Sequence, residues 1–255
     1  MGIGRIILAL WLAVLTPASA QPRPGDAPAS SRFDGWASAV IAADWRDSQG
    51  QPIEAFDNAR RDLAAAFREA GLPAEHMVEA SLRPDAAEPA DATRTATRFA
   101  EAAQRAHQGC FFYITSHGSP EGIVFGPDRV LTPTLAATLL RSACGTRPTI
   151  VVLSACFSGV FVDTLSAPNR MILTAARRDR SSFGCGAEAT YPYFDGCVIE
   201  ALKTASDFLA LAASARTCVS RRETEEKLEP PSEPQLFVGG QMQLLLPTLR
   251  FNRPG

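Results

Sequence analysis

Apolar residues recur along this chain in two rhythms. One is the short unbroken run: Trp36 to Ala43, Met77 to Leu82, Phe111 to Thr115, Thr149 to Leu153, Met171 to Ala175 and Gln235 to Val238. Runs without clear alternation predict strands buried on both faces. The other rhythm steps by three and four. Phe56, Ala59, Leu63, Phe67 and Ala70 share one face of a helix over Glu54 to Ala70, ended by Gly71 and Pro73. A second helix over Thr93 to Ala106 turns Ala96, Phe99, Ala103 and Ala106 inward. Thr132 to Arg141 reads as a third, and Val198 to Arg222 as largely helical. Strand and helix therefore alternate. This predicts a three-layer α/β/α domain around a mostly parallel central sheet of about six strands. Ligands of such sheets bind outside the carboxyl ends of the strands, so chemistry is expected there.

The first residues obey neither rhythm. Arg5 precedes an apolar run from Ile6 to Leu15, and Ala18-Ser19-Ala20 has the small-x-small form that signal peptidase reads. Ten apolar residues rise only about 15 Å as a helix, against a hydrocarbon core of roughly 30 Å. We expect a signal peptide over 1–20, cut after Ala20, a Pro-rich linker over 21–35 and one domain over 36–255. Export places the chain in an oxidising compartment. Arg far outnumbers Lys and Ala is abundant, which fits a GC-rich bacterial genome and hence a periplasmic or secreted protein.

Composition narrows the partners. The 255 residues are 46% hydrophobic and 20% charged, with a net charge of −2. That is enough apolar material for a core, and no basic excess argues for nucleic acid. No stretch after the signal is apolar enough to span a membrane. The three scattered histidines make a poor metal site, and no Gly-rich phosphate loop is present. Neither a metal nor a cofactor is expected.

Two strand ends carry candidate chemistry. His117-Gly118 follows the run Phe111 to Thr115, and Cys156 follows the run Thr149 to Leu153. One β-α-β step fits between them. If the two strands are neighbours, His117 and Cys156 stand side by side on one sheet edge. Each alone has a plain alternative, a buried thiol or a polar turn residue; the matched pair points to nucleophilic catalysis. A thiolate is the reactive form, and an imidazole can take the thiol proton and later give one to a leaving amine. A helix starting after Cys156 would favour the thiolate. The backbone N–H groups of Gly118 and Cys156 are candidates for an oxyanion site. All three histidines precede Cys156. That order excludes an α/β-hydrolase with a Cys nucleophile and a papain-like enzyme.

The blocks FYITSHGSPEGIVF (112–125), VVLSACFSG (151–159) and LTAARRDRSSFGC (173–185) resemble the legumain-type cysteine peptidases of the caspase–hemoglobinase fold, in particular their secreted bacterial relatives. A weaker block runs from Ala42 to Leu63. The resemblance implies His117 as general base and acid, Cys156 as nucleophile and Gly118 as oxyanion donor. It also implies a pocket for the substrate side chain from Arg46, Ser181, Ser182 and Asp195. Legumain carries Glu two positions before its Cys where this chain has Ser154, so the charge arrangement that reads Asn is incomplete here. Asp44, at the end of the first strand, is a candidate to orient His117. The expected function is an exported cysteine endopeptidase acting on peptides or proteins through a thioester. A transpeptidase or ligase of the same fold, and an inactive binding protein, are the alternatives.

Five further cysteines need places. Cys110 and Cys144 both sit just before predicted strands, at the opposite edge from Cys156, where a disulfide is geometrically available if those strands are adjacent. Cys197 and Cys218 flank helical segments and form a second candidate pair. Cys185 is then left over, near the pocket loop.

Overall fold

The computed structural model describes Met1, residues 32–186 and residues 188–252. The expected signal peptide beyond Met1, and the expected linker as far as residue 31, lie outside the described residues. Phe33, which the linker reading includes, is fully buried and packs edge-on against Trp36 and Phe208. The ordered domain therefore starts before the first strand.

Strands and helices alternate as the pattern requires. In chain order they are β1 (Trp36–Ala42), α1 (Ala55–Glu69), β2 (Met77–Ser81), α2 (Ala92–Arg105), β3 (Gly109–Thr115), β4 (Gly118–Ser119), β5 (Gly122–Val124), β6 (Val130–Leu131), α3 (Pro133–Cys144), β7 (Thr149–Ser154), α4 (Phe161–Leu165), β8 (Arg170–Thr174), α5 (Tyr193–Leu202), α6 (Phe208–Glu225), β9 (Gln235–Val238) and α7 (Gly240–Leu245). The main sheet has the order β2-β1-β3-β7-β8-β9. Its first five strands are parallel, and β9 closes one edge antiparallel to β8.

Every residue of β1, β3, β7 and β8 is buried, which is why none of them alternates in sequence. The pleat still sorts their side chains. Phe111, Tyr113, Ile150 and Val152 meet α1, α5 and α6 on one face; Phe112, Ile114, Val151 and Leu153 meet α2, α3 and α4 on the other. Helix starts follow local chemistry. Asp91, Thr132 and Asp207 each accept backbone N–H groups at the N-caps of α2, α3 and α6.

The structure corrects the sequence reading in three places. Ala96 is only half-buried; Ala92, Thr95 and Ala102 line the inner face of α2 beside Phe99 and Ala103. The stretch Val198 to Arg222 is two helices, because the Asp207 carboxylate starts α6 afresh. A small antiparallel sheet, β4-β5-β6, follows His117 and has no counterpart in the pattern. Its strands of two or three residues are too short to show a period.

Both candidate disulfides are present, Cys110–Cys144 and Cys197–Cys218. Cys110 lies within β3 and Cys144 is the last residue of α3, not ahead of strands as read from sequence. The first bridge ties α3 to the sheet at the amino ends of the strands. Among the described residues, no helix is long and apolar enough to cross a membrane.

Candidate active site

Strands β3 and β7 are neighbours, and Thr115 pairs with Ser154 at their carboxyl ends. His117 and Cys156 each lie two residues beyond that pair. Parallel register therefore brings them to the same edge, and both are half-buried.

Main-chain groups hold the two side chains. His117 Nε2 lies 2.7 Å from the carbonyl oxygen of Arg46, just past β1. A carbonyl only accepts, so Nε2 carries the proton and Nδ1 keeps a lone pair in the neutral ring. Phe56, at the start of α1, meets the imidazole edge-on at 5.0 Å. Cys156 Sγ accepts the Ser182 N–H at 3.2 Å, and the Ser182 hydroxyl stands 3.8 Å away. The Ser182 carbonyl oxygen lies 3.5 Å from the same sulfur.

Asp44 serves the imidazole indirectly. Its carboxylate accepts the N–H groups of Trp45 and Arg46 at 2.8 and 3.3 Å and pairs with the Arg46 guanidinium at 2.8 Å. This fixes the turn whose carbonyl meets His117. Among the described residues Asp44 makes no hydrogen bond to the ring itself.

Two main-chain N–H groups flank this edge, those of Gly118 and Cys156. The His117 carbonyl accepts from Val124 N, so Gly118 and Ile123 form the pair of the β4–β5 ladder that exchanges no hydrogen bonds. The Gly118 N–H therefore faces away from β5. Among the described residues the Cys156 N–H has no acceptor. Gly118 is required by contact: a Cβ there would lie 2.2 Å from the Cys156 carbonyl oxygen and 3.0 Å from Ala155 Cβ.

A helix does not begin directly after Cys156. Phe157 is left-handed (φ 57°), a short 3-10 turn follows over Ser158–Val160, and α4 has only five residues. The dipole argument made from sequence is weakened accordingly, and the Ser182 N–H takes its place as the local donor.

Of the expected pocket residues, Arg46 borders the cleft with its side chain paired to Asp44. Ser182 touches Cys156, and Ser181 beside it is exposed. Asp195 is deeper than a pocket wall: it is 0% exposed in the first turn of α5. The hydroxyls of Tyr113 and Thr115 each donate to it at 2.5 Å. Burial pushes its pKa up from 3.8 to about 6 against the pull of those donors. Tyr113 and Thr115 were not legible as site residues. They lie within an apolar strand, and their partner is 80 or more residues away.

Three comparisons with known proteins bear on this site. Residues 99–219 match the Peptidase C13 family, a span that holds His117, Gly118, Cys156 and Asp195 and stops short of Arg46. No curated protein matches the chain. Among solved structures, caspase-1 from Spodoptera frugiperda superposes with a TM-score of 0.60 at 12% identity, covering 86% of this chain and 93% of that one. The fold is therefore caspase-like, and together with the family match it supports a cysteine peptidase.

Proposed function

We propose that this chain is an exported cysteine endopeptidase, legumain-like, with Cys156 as nucleophile and His117 as its base. One observation carries the reading: the Thr115–Ser154 register sets His117 and Cys156 on one sheet edge.

The chemistry runs as follows. His117 Nδ1 takes the Cys156 thiol proton while the Arg46 carbonyl holds Nε2–H. The thiolate attacks a substrate carbonyl, and Gly118 N–H and Cys156 N–H receive the developing oxyanion. The imidazolium gives its proton to the departing amine, and water activated by the same ring resolves the thioester. Arg46, Ser154, Ser181, Ser182 and Asp195 shape the pocket for the side chain before the scissile bond. With Ser154 and a buried Asp195 below it, that pocket differs in charge from one that reads Asn strictly. The substrate is a peptide or protein, no cofactor enters any step, and nucleic acid has no role. The two disulfides and the N-terminal pattern favour an oxidising, periplasmic or extracellular location.

The test is selective labelling. A peptidyl electrophile should alkylate Cys156 of the mature protein, and His117→Ala should abolish that labelling. Equal labelling of variant and wild type would remove the dyad. Product analysis with an added amine separates hydrolysis from peptide transfer.

A further inference from the structure

Two free thiols are present among the described residues, Cys156 and Cys185, the other four cysteines being paired. The proposed mechanism uses only the first. Cys185 lies on the loop that covers Cys156. Three residues before it, Ser182 puts its N–H 3.2 Å and its carbonyl 3.5 Å from the Cys156 sulfur. The Cys185 side chain packs on Ala42, Ile53, Ala55 and Phe56, and the Phe56 ring meets His117. Both thiols therefore border the cleft around the imidazole.

Packing on that cluster holds the Cys185 side chain, and the main chain around it is tied by the Tyr193 N–H to the Phe183 carbonyl and the Ala189 N–H to the Gly186 carbonyl. Among the described residues no hydrogen bond holds its thiol. Glycines flank it on both sides, Gly184 at φ 86° and Gly186 with open space where a Cβ would stand. Burial and the charges of Cys156 and Asp195 push its thiol pKa up.

We propose that Cys156 and Cys185 form a reversible redox pair, oxidised by a peroxide to an intramolecular disulfide and reopened by a dithiol. The proposal rests on reading Cys156 as the reactive thiol. In the first step the Cys156 thiolate attacks one peroxide oxygen. The O–O bond breaks, leaving a sulfenic acid on Cys156 and a hydroxide ion. In the second, the Cys185 sulfur attacks the sulfenic sulfur. The S–O bond breaks, and the hydroxyl leaves with the Cys185 proton as water. Two thiols thus give two electrons to one peroxide. Closure needs the Cα atoms within about 4.4–6.8 Å, and the test below reads whether the 181–186 loop reaches that geometry. Cys185 in this role protects the nucleophile, because an unresolved sulfenic acid goes on to irreversible sulfinic acid.

The experiment treats the mature protein with hydrogen peroxide and reads it by mass under non-reducing conditions. A species lighter by two hydrogens should appear, with a cross-linked peptide joining Cys156 and Cys185 and both structural disulfides intact. Labelling by the peptidyl electrophile should vanish and return after a dithiol. Cys185→Ser should label normally at first and recover about tenfold less after oxidation, its Cys156 found as sulfinic acid. Equal recovery of the two proteins, or cross-links only between chains, would overturn the pair. The cross-link is read without any peptidase activity. If it forms and no peptide is cleaved, the peptidase reading alone fails. If peptides are cleaved and it does not form, the redox pair alone fails.

Discussion

Gly118→Ala tests the oxyanion site most directly. The residue is not in the left-handed region, so alanine is conformationally acceptable and the effect is one of contact. The new Cβ would sit 2.2 Å from the Cys156 carbonyl oxygen. Normal carbon–oxygen contact begins about 1 Å farther out, so Gly118 and the segment of Cys156 must separate by about that distance. An oxyanion donor works within roughly 2.7–3.1 Å of its target, and losing one costs about 100- to 1,000-fold in kcat, or about 2.7–4 kcal/mol. Cleavage of a fluorogenic peptide should fall by that factor, mainly in kcat. Iodoacetamide alkylation of Cys156 passes through no oxyanion and should proceed near the wild-type rate. A melting curve checks that the variant is folded. Unchanged kcat in a folded variant would refute the assignment of Gly118 N–H, whatever the status of the dyad.

Two further outcomes follow from the buried groups. Asp195 has its native pKa raised from 3.8 to about 6, mainly by burial, so the native state holds this proton more tightly than the unfolded chain does. Its contribution to stability is complete below pH 4, is lost as pH rises to about 6, and leaves a cost of about 3 kcal/mol at neutral pH. Denaturant titrations of wild type minus Asp195→Asn should show that slope between pH 4 and 6; a flat difference would show that the carboxylate does not titrate there. The Cys110–Cys144 bridge spans 34 residues, so removing both cysteines should cost about 4 kcal/mol in urea unfolding by chain entropy. Because it lies at the far end of β3 from His117, Cys156 alkylation should be unaffected.

The layers of this fold were legible because burial on both faces leaves unbroken apolar runs. Four of the six main-sheet strands, β1, β3, β7 and β8, are such runs, while the edge strands β2 and β9 are only partly buried and β2 alternates. The placement of His117 beside Cys156 on one sheet edge was legible for a related reason. Parallel strands end together, so His117 and Cys156 can be matched by counting from the ends of two runs. The β4-β5-β6 sheet was hidden because its strands are shorter than one repeat of any pattern. The break between α5 and α6 was hidden because both flanks are apolar and only the Asp207 cap marks the new start. The Tyr113, Thr115 and Asp195 cluster was hidden for another reason. A hydroxyl inside a buried strand looks apolar until its distant acceptor is known.

The groups that position the reacting atoms are almost all main chain. The Arg46 carbonyl holds His117 and the Ser182 N–H holds Cys156; in the proposed mechanism the N–H groups of Gly118 and Cys156 receive the oxyanion. Main-chain groups are set by strand register and loop path, and a substitution moves them only where a side chain braces or would clash with the backbone, as at Asp44 and Gly118. The selective part of the site is built the other way, from the Arg46 guanidinium, the Ser182 hydroxyl and the polar cluster over Asp195. Arg46 and Ser182 contribute to both parts through different atoms. On the proposed reading, this separation would let the pocket change charge while Cys156 and His117 keep their geometry. It also explains why the chemistry is concentrated on one edge and a disulfide on the other. The amino ends of the strands are tied by Cys110–Cys144, so the carboxyl ends can carry irregular, glycine-rich loops without loosening the register on which the dyad depends.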